Sequence, residues 1–389
     1  MSKRMKVFLL FFTLFFLIPR IVQAAPPPAE IVNEQIQKLG IDEVQQYWDE
    51  VVHQYGGFLP ESQKGDFIQF IKGEKKFSLQ EWFIAFAKYI FFELLSNGKI
   101  LGILIMLVIF SSLLQSLQNA FEKSTVSKIA DNVVFLVLVV FALNSFYVAT
   151  QATQDAITVM IDFLRALIPI LLALIATSGG VISVGVFHPI LIFLMHTSGL
   201  LVTYFVLPLI LVSTILSIVS IINDELKVTK LASLIRNVAV GVLGIFLTIF
   251  LGVLSVQGLT TAVSDGVAVK TAKFVTSNFV PVVGKVFADV TDTVISASLL
   301  LKNTVGIVGL VTLLAIVVFP AIKILVLALI YKFSAAILQP VGSKNIISTI
   351  DTIGKSVTYL FVCLSIVSLM FFLSMTLIIA AGNIVVMFR

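Results

Sequence analysis

Charge and cysteine are what this chain has least of. Asp, Glu, Lys and Arg make up 12% of its 389 residues, about half the share found in soluble globular proteins. Hydrophobic residues reach 59% and mean hydropathy is +1.09. Those values exclude a soluble globule, because most of the chain consists of apolar runs near the ~20 residues that cross a bilayer. The single cysteine, Cys363, lies inside an apolar run and excludes both a disulfide framework and a cysteine metal site. Of three histidines, His188 and His196 are spaced to share a helix side, but with no carboxylate or cysteine beside them they fall short of a metal site. The HExxH zinc helix, the nucleophile elbow and the phosphate-cradling glycine loop are all missing. Ser198-Gly199 beside His196 has the wrong spacing for an intramembrane serine protease. The reading is therefore of a protein that is not an enzyme and holds no cofactor. With no nucleotide motif, any energy coupling comes from ions, gradients or a separate ATPase.

The formal charge of +5 is misleading about partners. Lys3, Arg4, Lys6 and Arg20 lie in a leader, whose removal lowers it to +1, too little for the concentrated basic face that nucleic acid requires. That leader has a basic start, an apolar stretch over 7–18 that is too short to span, Pro19, and small residues at Val22-Gln23-Ala24, the three parts of a cleavable signal peptide. Pro26-Pro27-Pro28 forms a stiff spacer. An acidic stretch follows, with apolar residues at helical spacing (Val44, Tyr47, Trp48, Val51, Val52, Tyr55) and a second short helix marked by Phe67, Ile68, Phe70 and Ile71. Some fifty residues bury only a marginal core, so this piece leans on the membrane or on a partner. Ser78 and Glu81 form a capping box that opens an aromatic helix; its Lys88 and Glu93 favour an interfacial position over a span.

The fold class is an all-α membrane protein, a polytopic helical bundle of about seven or eight transmembrane helices with a small helical extracytoplasmic N-terminal region. Clear spans fall at 100–117, 133–150, 236–256, 305–330 and 356–381. Between Asp162 and Ile222 the only full charge is Arg165, which leaves room for three tightly joined helices or for one span plus a re-entrant pair. The divisions are a signal peptide over 1–24, an acidic helical extracytoplasmic region over 25–79, an interfacial amphipathic helix over 80–97, a first transmembrane group over 98–258, an amphipathic broken hairpin over 259–303 and a C-terminal transmembrane pair over 304–389. With the mature N-terminus outside, Lys123 and Lys128, then Lys227, Lys230 and Arg236, then Lys332, Lys344 and Lys355 all fall inside, as the loop-charge rule asks. A loop over 151–162, free of Lys and Arg, falls outside. The exception is the hairpin, outside yet carrying Lys270, Lys273, Lys285 and Lys302. Irregular backbone at membrane depth needs protein or a wet cavity to cover it, so a hairpin that dips inward marks a pore wall, and one lying on the surface does not.

Several residues are candidates for a role in passage. Lys323, just after Pro320, either snorkels or faces a cavity, with Asp289 or Asp292 as partners; together with Lys285, Pro281 and Gly284 these form a candidate pore or gate. Asp162 and Arg165, three apart on one helix face, form a candidate intramembrane ion pair, either a structural pair or the lining of a solute path. Gly241 and Gly244, and Gly306 and Gly309, permit close helix packing.

The order of these parts, and above all the run NFVPVVGKVFADVTDTV over 278–294 followed by LLLKN over 299–303, resembles the stage III sporulation protein AE family of endospore-forming Firmicutes. The resemblance covers essentially the whole chain. It implies a multi-pass protein of the mother-cell membrane around the forespore, part of a channel complex that supports late forespore gene expression. The implied partners are other proteins of the same operon, among them a separate cytoplasmic ATPase and ring-forming membrane proteins, and through the complex the forespore's stage II sporulation protein Q. It brings no catalytic residues. Channel or permease subunit is the leading expectation. A scaffold that conducts nothing and an independent secondary transporter are the alternatives, the scaffold because 163–222 offers few polar residues to line a wet path.

Overall fold

The structure is a computed structural model that describes residues 40–60, 78–120, 125–178, 180–223, 225, 227–279 and 283–387. Within these the side chains of 79, 118–120, 125–128, 182–183, 187–188, 257–279, 283–295 and 381–387 are not described. The leader, the proline spacer, the second short helix at 67–71 and Pro281 lie outside the described residues.

The described chain is all helix. In order it forms α1 (Asp42–Tyr55), α2 (Leu79–Ser96), α3 (Gly98–Ala120), α4 (Thr125–Thr177), α5 (Val181–Leu201), α6 (Leu207–Ile222), α7 (Thr229–Phe279), α8 (Val283–Leu338) and α9 (Lys344–Met387), with one π-helical turn at Val202–Val206 between α5 and α6. Six stretches are long and apolar enough to cross a membrane: Gln80–Leu117, Ile129–Thr177, Val184–Ile222, Thr229–Val256, Ser296–Leu338 and Lys344–Ala380. This is a polytopic all-α membrane protein, with six such helices among the described residues where the sequence predicts seven or eight spans.

The difference arises mainly in α4. The expected loop at 151–162 is uninterrupted helix. Thr153, Ala156, Ile157, Met160 and Ile161 fall at spacings of three and four and are buried. Gln151, Asp155, Thr158 and Arg165 occupy the exposed side. Polarity in this stretch is thus one face of an amphipathic helix, and no proline or glycine interrupts it. Two expected spans merge into one helix of 53 residues, about 80 Å long at 1.5 Å per residue. The stretch 181–222 behaves likewise. Backbone angles stay helical through Leu201, Val202, Val206 and Leu207, so Pro208 and the π turn interrupt the bonding pattern without reversing the chain. Only the turn at 178–180 reverses it, since α5 packs back along α4. Residues 259–279 and 283–303, where the broken hairpin is expected, are the ends of α7 and α8, which continue unbroken from their apolar stretches to Phe279 and from Val283; the connection at 280–282 lies outside the described residues.

At the centre α8 packs against α9 and α4, and α9 also packs on α4, α6 and α7. The α8–α9 and α4–α8 pairs run antiparallel. A Cβ on Gly306 would lie 2.6 Å from Ile379 Cγ1, and one on Gly309 would lie 2.4 Å from Leu167 Cδ2. These two glycines let α9 and α4 close onto α8, as predicted. Gly241 and Gly244 have nothing within 4 Å of that position and make no such contact. Buried hydroxyls are satisfied along their own helices, as in Ser334 to Ile330 O at 2.6 Å, Thr312 to Val308 O at 2.9 Å and Ser374 to Met370 O at 2.9 Å, the usual way serine and threonine are accommodated in apolar helices.

The N-terminal region docks on its own chain. α1 buries Val44, Trp48 and Val51 and packs on α4 and α8. Tyr47 meets Phe163 edge-on at 5.6 Å between centroids, and Tyr55 stacks on Phe319 at 4.2 Å and 7°. α2 joins them there through Phe86 and Tyr89, both set against Phe319. Ser78 caps α2 by accepting from the Glu81 N–H.

Candidate functional site

The charged groups singled out in the sequence do not converge on one place. Asp162 and Arg165 do pair, at 2.9 Å, but their side chains are 43% and 51% exposed, so the pair lies on the outside of the bundle and not in its interior. Arg165 Nη2 also lies 3.2 Å from His196 Nδ1 on α5, which ties α4 to α5. Beneath it is a cavity of about 240 Å³ lined by Leu164, Ile168, Pro169, Ile192 and Met195 together with Arg165 and His196. Tyr47 of α1 approaches the same group. Burial first, then the charges of Asp162 and Glu43, raise its phenol above the ordinary value, against the opposing pull of Arg165.

Lys323 is exposed on α8. Its proposed partnership with Asp289 or Asp292 fails on length alone. All three belong to one continuous helix, on which Asp292 and Lys323 lie about 46 Å apart. Lys285 and Gly284 sit in the first turn of α8, far from Lys323 for the same reason. The side chains of Lys285, Asp289 and Asp292 are not among those described.

The polar groups that the fold does bury were not singled out by sequence reasoning. Lys302 has no exposed surface, and its ammonium donates to the Ile379 carbonyl of α9 at 2.8 Å, one turn from the Gly306 contact. In the sequence this lysine counted as one of the basic residues of an outside loop. Glu93, 6% exposed, accepts from Tyr89 Oη at 2.8 Å and from Asn97 Nδ2 at 2.7 Å. Asp131 holds the α3–α4 hairpin by accepting from Ser111 Oγ and, at 3.2 Å, from Gln115 Nε2. A polar seam joins α6, α7 and α9: Thr214 donates to Ser356 Oγ at 2.8 Å, Ser213 donates to Ala232 O at 2.7 Å, and the Arg236 guanidinium lies 5.2 Å from the Tyr359 ring centroid. A spacing signal exists only for Glu93, which lies on the stripe of Trp82, Ala85 and Tyr89 and shares their burial.

Among the described residues no group of three His, Cys, Asp or Glu side chains is placed to hold a metal. What the fold and these groups define is a multi-pass helical membrane protein whose polar residues join helix to helix. The family model for stage III sporulation protein AE matches residues 62–382. The chain is also 56% identical over 360 residues to the stage III sporulation protein AE of Bacillus subtilis (strain 168), covering 92% of this chain and 90% of that one. No solved structure matches. The chain belongs to the stage III sporulation protein AE family. It is accordingly a membrane component of the sporulation channel complex between mother cell and forespore, associated with that complex's other membrane proteins.

Proposed function

We propose that this chain is the channel or permease subunit of the complex, lying in the mother-cell membrane with its mature N-terminus in the space between the two membranes. The observation that carries the orientation is the position of the basic residues. If each of the six apolar helices crosses once, the turns with Lys123 and Lys128, with Lys227, Lys230 and Arg236, and with Lys332, Lys344 and Lys355 share one side. The turn at 178–180, without Lys or Arg, takes the other. That is the orientation expected from eight crossings, since both counts are even. On the inner side a separate cytoplasmic ATPase supplies energy; on the outer side ring-forming proteins of the operon connect the chain to stage II sporulation protein Q.

In this reading the conduit runs between subunits. The α4–α8–α9 interior is filled where Gly309 meets Leu167 and Met375 and where Tyr331 and Phe319 are buried, which leaves a single chain's axis closed. The same filled interior favours the second reading, a scaffold that conducts nothing. Cysteine accessibility in a Cys363→Ser background distinguishes them, with single cysteines at Lys285, Asp289, Asp292 and Lys323 in the assembled complex. Labelling at 285, 289 and 292, which recur at spacings of four and three, by a water-soluble reagent and blocked by a permeant solute supports a lined conduit. Labelling that solutes never block, with the purified assembly passing no solute in liposomes, leaves the scaffold.

A further inference from the structure

At the α8–α9 turn an open cavity of about 630 Å³ is lined by Lys332, Gln339, Gly342, Lys344, Ser348 and Asp351, among others. Two candidate spans, Ser296–Leu338 and Lys344–Ala380, end and begin at its rim, which puts it at the depth of lipid headgroups. Its one carboxylate is already matched: Asp351 pairs with Lys355 at 2.6 Å, leaving the ammonium groups of Lys332 and Lys344 as the cavity's charge. The site is built and not a loose fringe of lysines. The Lys332 stem crosses Gly354 of α9, where a Cβ would come within 3.1 Å of Lys332 Cγ. Gly342 closes the floor, with Ile347 Cδ1 at 2.6 Å and Val108 Cγ1 at 3.1 Å from where its Cβ would stand. Beside Lys332, the large apolar side chains Phe333 and Ile337 of α8 and Val341 of the turn that follows are exposed at four-residue intervals.

We propose that this cavity binds the phosphodiester headgroup of an anionic phospholipid, with an acyl chain along the Phe333–Ile337–Val341 strip. The pairing follows from chemistry. Two ammonium donors, an amide and a hydroxyl surround space for a phosphate, and an apolar track leads away into the bilayer. The inference depends only on where the apolar helices end, so it stands whether the chain conducts or scaffolds.

The test is native mass spectrometry of the full chain from nanodiscs containing equal phosphatidylglycerol and phosphatidylcholine of the same acyl composition. The expected result is preferential retention of phosphatidylglycerol, lost by roughly thirtyfold in Lys332→Gln/Lys344→Gln, about fivefold per lysine. Lys227→Gln/Lys230→Gln, on a neighbouring turn, retains it. Lys344→Glu moves the result in the same direction and keeps the fold, because a carboxylate is favourable in a first helical turn. Equal retention of both lipids, or retention unchanged in the double variant, overturns the proposal. Displacement by millimolar glycerol phosphate would show that the cavity takes a soluble phosphate, and the lipid assignment would fall.

Discussion

Lys302 shows what a single residue means in this protein. A lysine in an apolar helix normally extends its long stem to reach water, yet here it is fully buried and donates to a carbonyl on the next helix. The aliphatic stem fills core volume, and the ammonium fixes α9 against α8. Replacing Lys302 with Ala removes both, and thermal unfolding in detergent is expected to show a loss of roughly 2–5 kcal/mol, the range for emptying a large buried side chain. Lys302→Met keeps the volume and removes the buried charge, and should stay within about 1.5 kcal/mol of the parent. If the Met variant unfolds as readily as the Ala variant, the polar contact and not the volume holds the pair. Glycines divide in the same way. Gly309→Leu forces a side chain into Leu167 and Met375 and should cost roughly 1–3 kcal/mol or more. Gly241→Ala enters open space in a helix interior and should raise stability by about 0.5–1 kcal/mol. Both sites look alike in sequence, as glycines three apart in an apolar run; only the neighbour across the gap separates them.

Among elements, α1 departs most from what its composition suggests. Its acidic residues and short length point to a piece that needs an outside support. The support is the chain's own α4 and α8, through Tyr47 on Phe163 and Tyr55 on Phe319. The apolar face itself was legible, since Val44, Trp48 and Val51 recur at helical spacing; its partner was not, because Phe163 and Phe319 lie more than a hundred residues away among many other large apolar residues that are equally plausible partners. Trp48→Ala is expected to remove roughly 3–5 kcal/mol of packing and to expose α1 to limited proteolysis while the bundle stays resistant. Alkaline pH gives a second test. Burial, reinforced by Glu93 and Glu50, raises the Tyr55 phenol above its ordinary value, and Tyr47 is raised as well. A raised folded-state value means that their contribution is complete below about pH 10 and is lost as pH rises through the folded-state value. Protease sensitivity of α1 should therefore rise above pH 10 in the parent. In Tyr47→Phe/Tyr55→Phe, whose rings still stack but cannot ionise, the rise should be smaller. An unchanged rise in the double variant would mean that other groups release α1.

For the molecule as a whole, helix length governs the topology. The six apolar helices are 28 to 49 residues long, where ~20 suffice, so apolar stretches cannot be counted off as crossings. The turn at 178–180 distinguishes the two counts. With the N-terminus outside, eight crossings bring it inside and six bring it outside. Val181→Cys, at an exposed position in a Cys363→Ser background, is expected to react with a membrane-impermeant thiol reagent from the outer side. Lys230→Cys should react only after the membrane is opened. Labelling of Val181→Cys from the inner side would restore the separate crossings and would mean that α4 reverses outside the bilayer at 151–162.

Sequence alone determined that the chain is helical and membrane-embedded. Those properties follow from composition and from runs of apolar residues, and both are local. The family could be read as well, because its characteristic run is contiguous over 278–303. Tertiary structure decided which breaks in polarity are turns and which are faces, since the polar stretch at 151–162 differs from a loop only in having a neighbour against its apolar side. It also decided which charges are buried. Lys302 and Lys323 are both lysines in α8, and the packing of α9 makes one an internal fastener while the other remains on the surface.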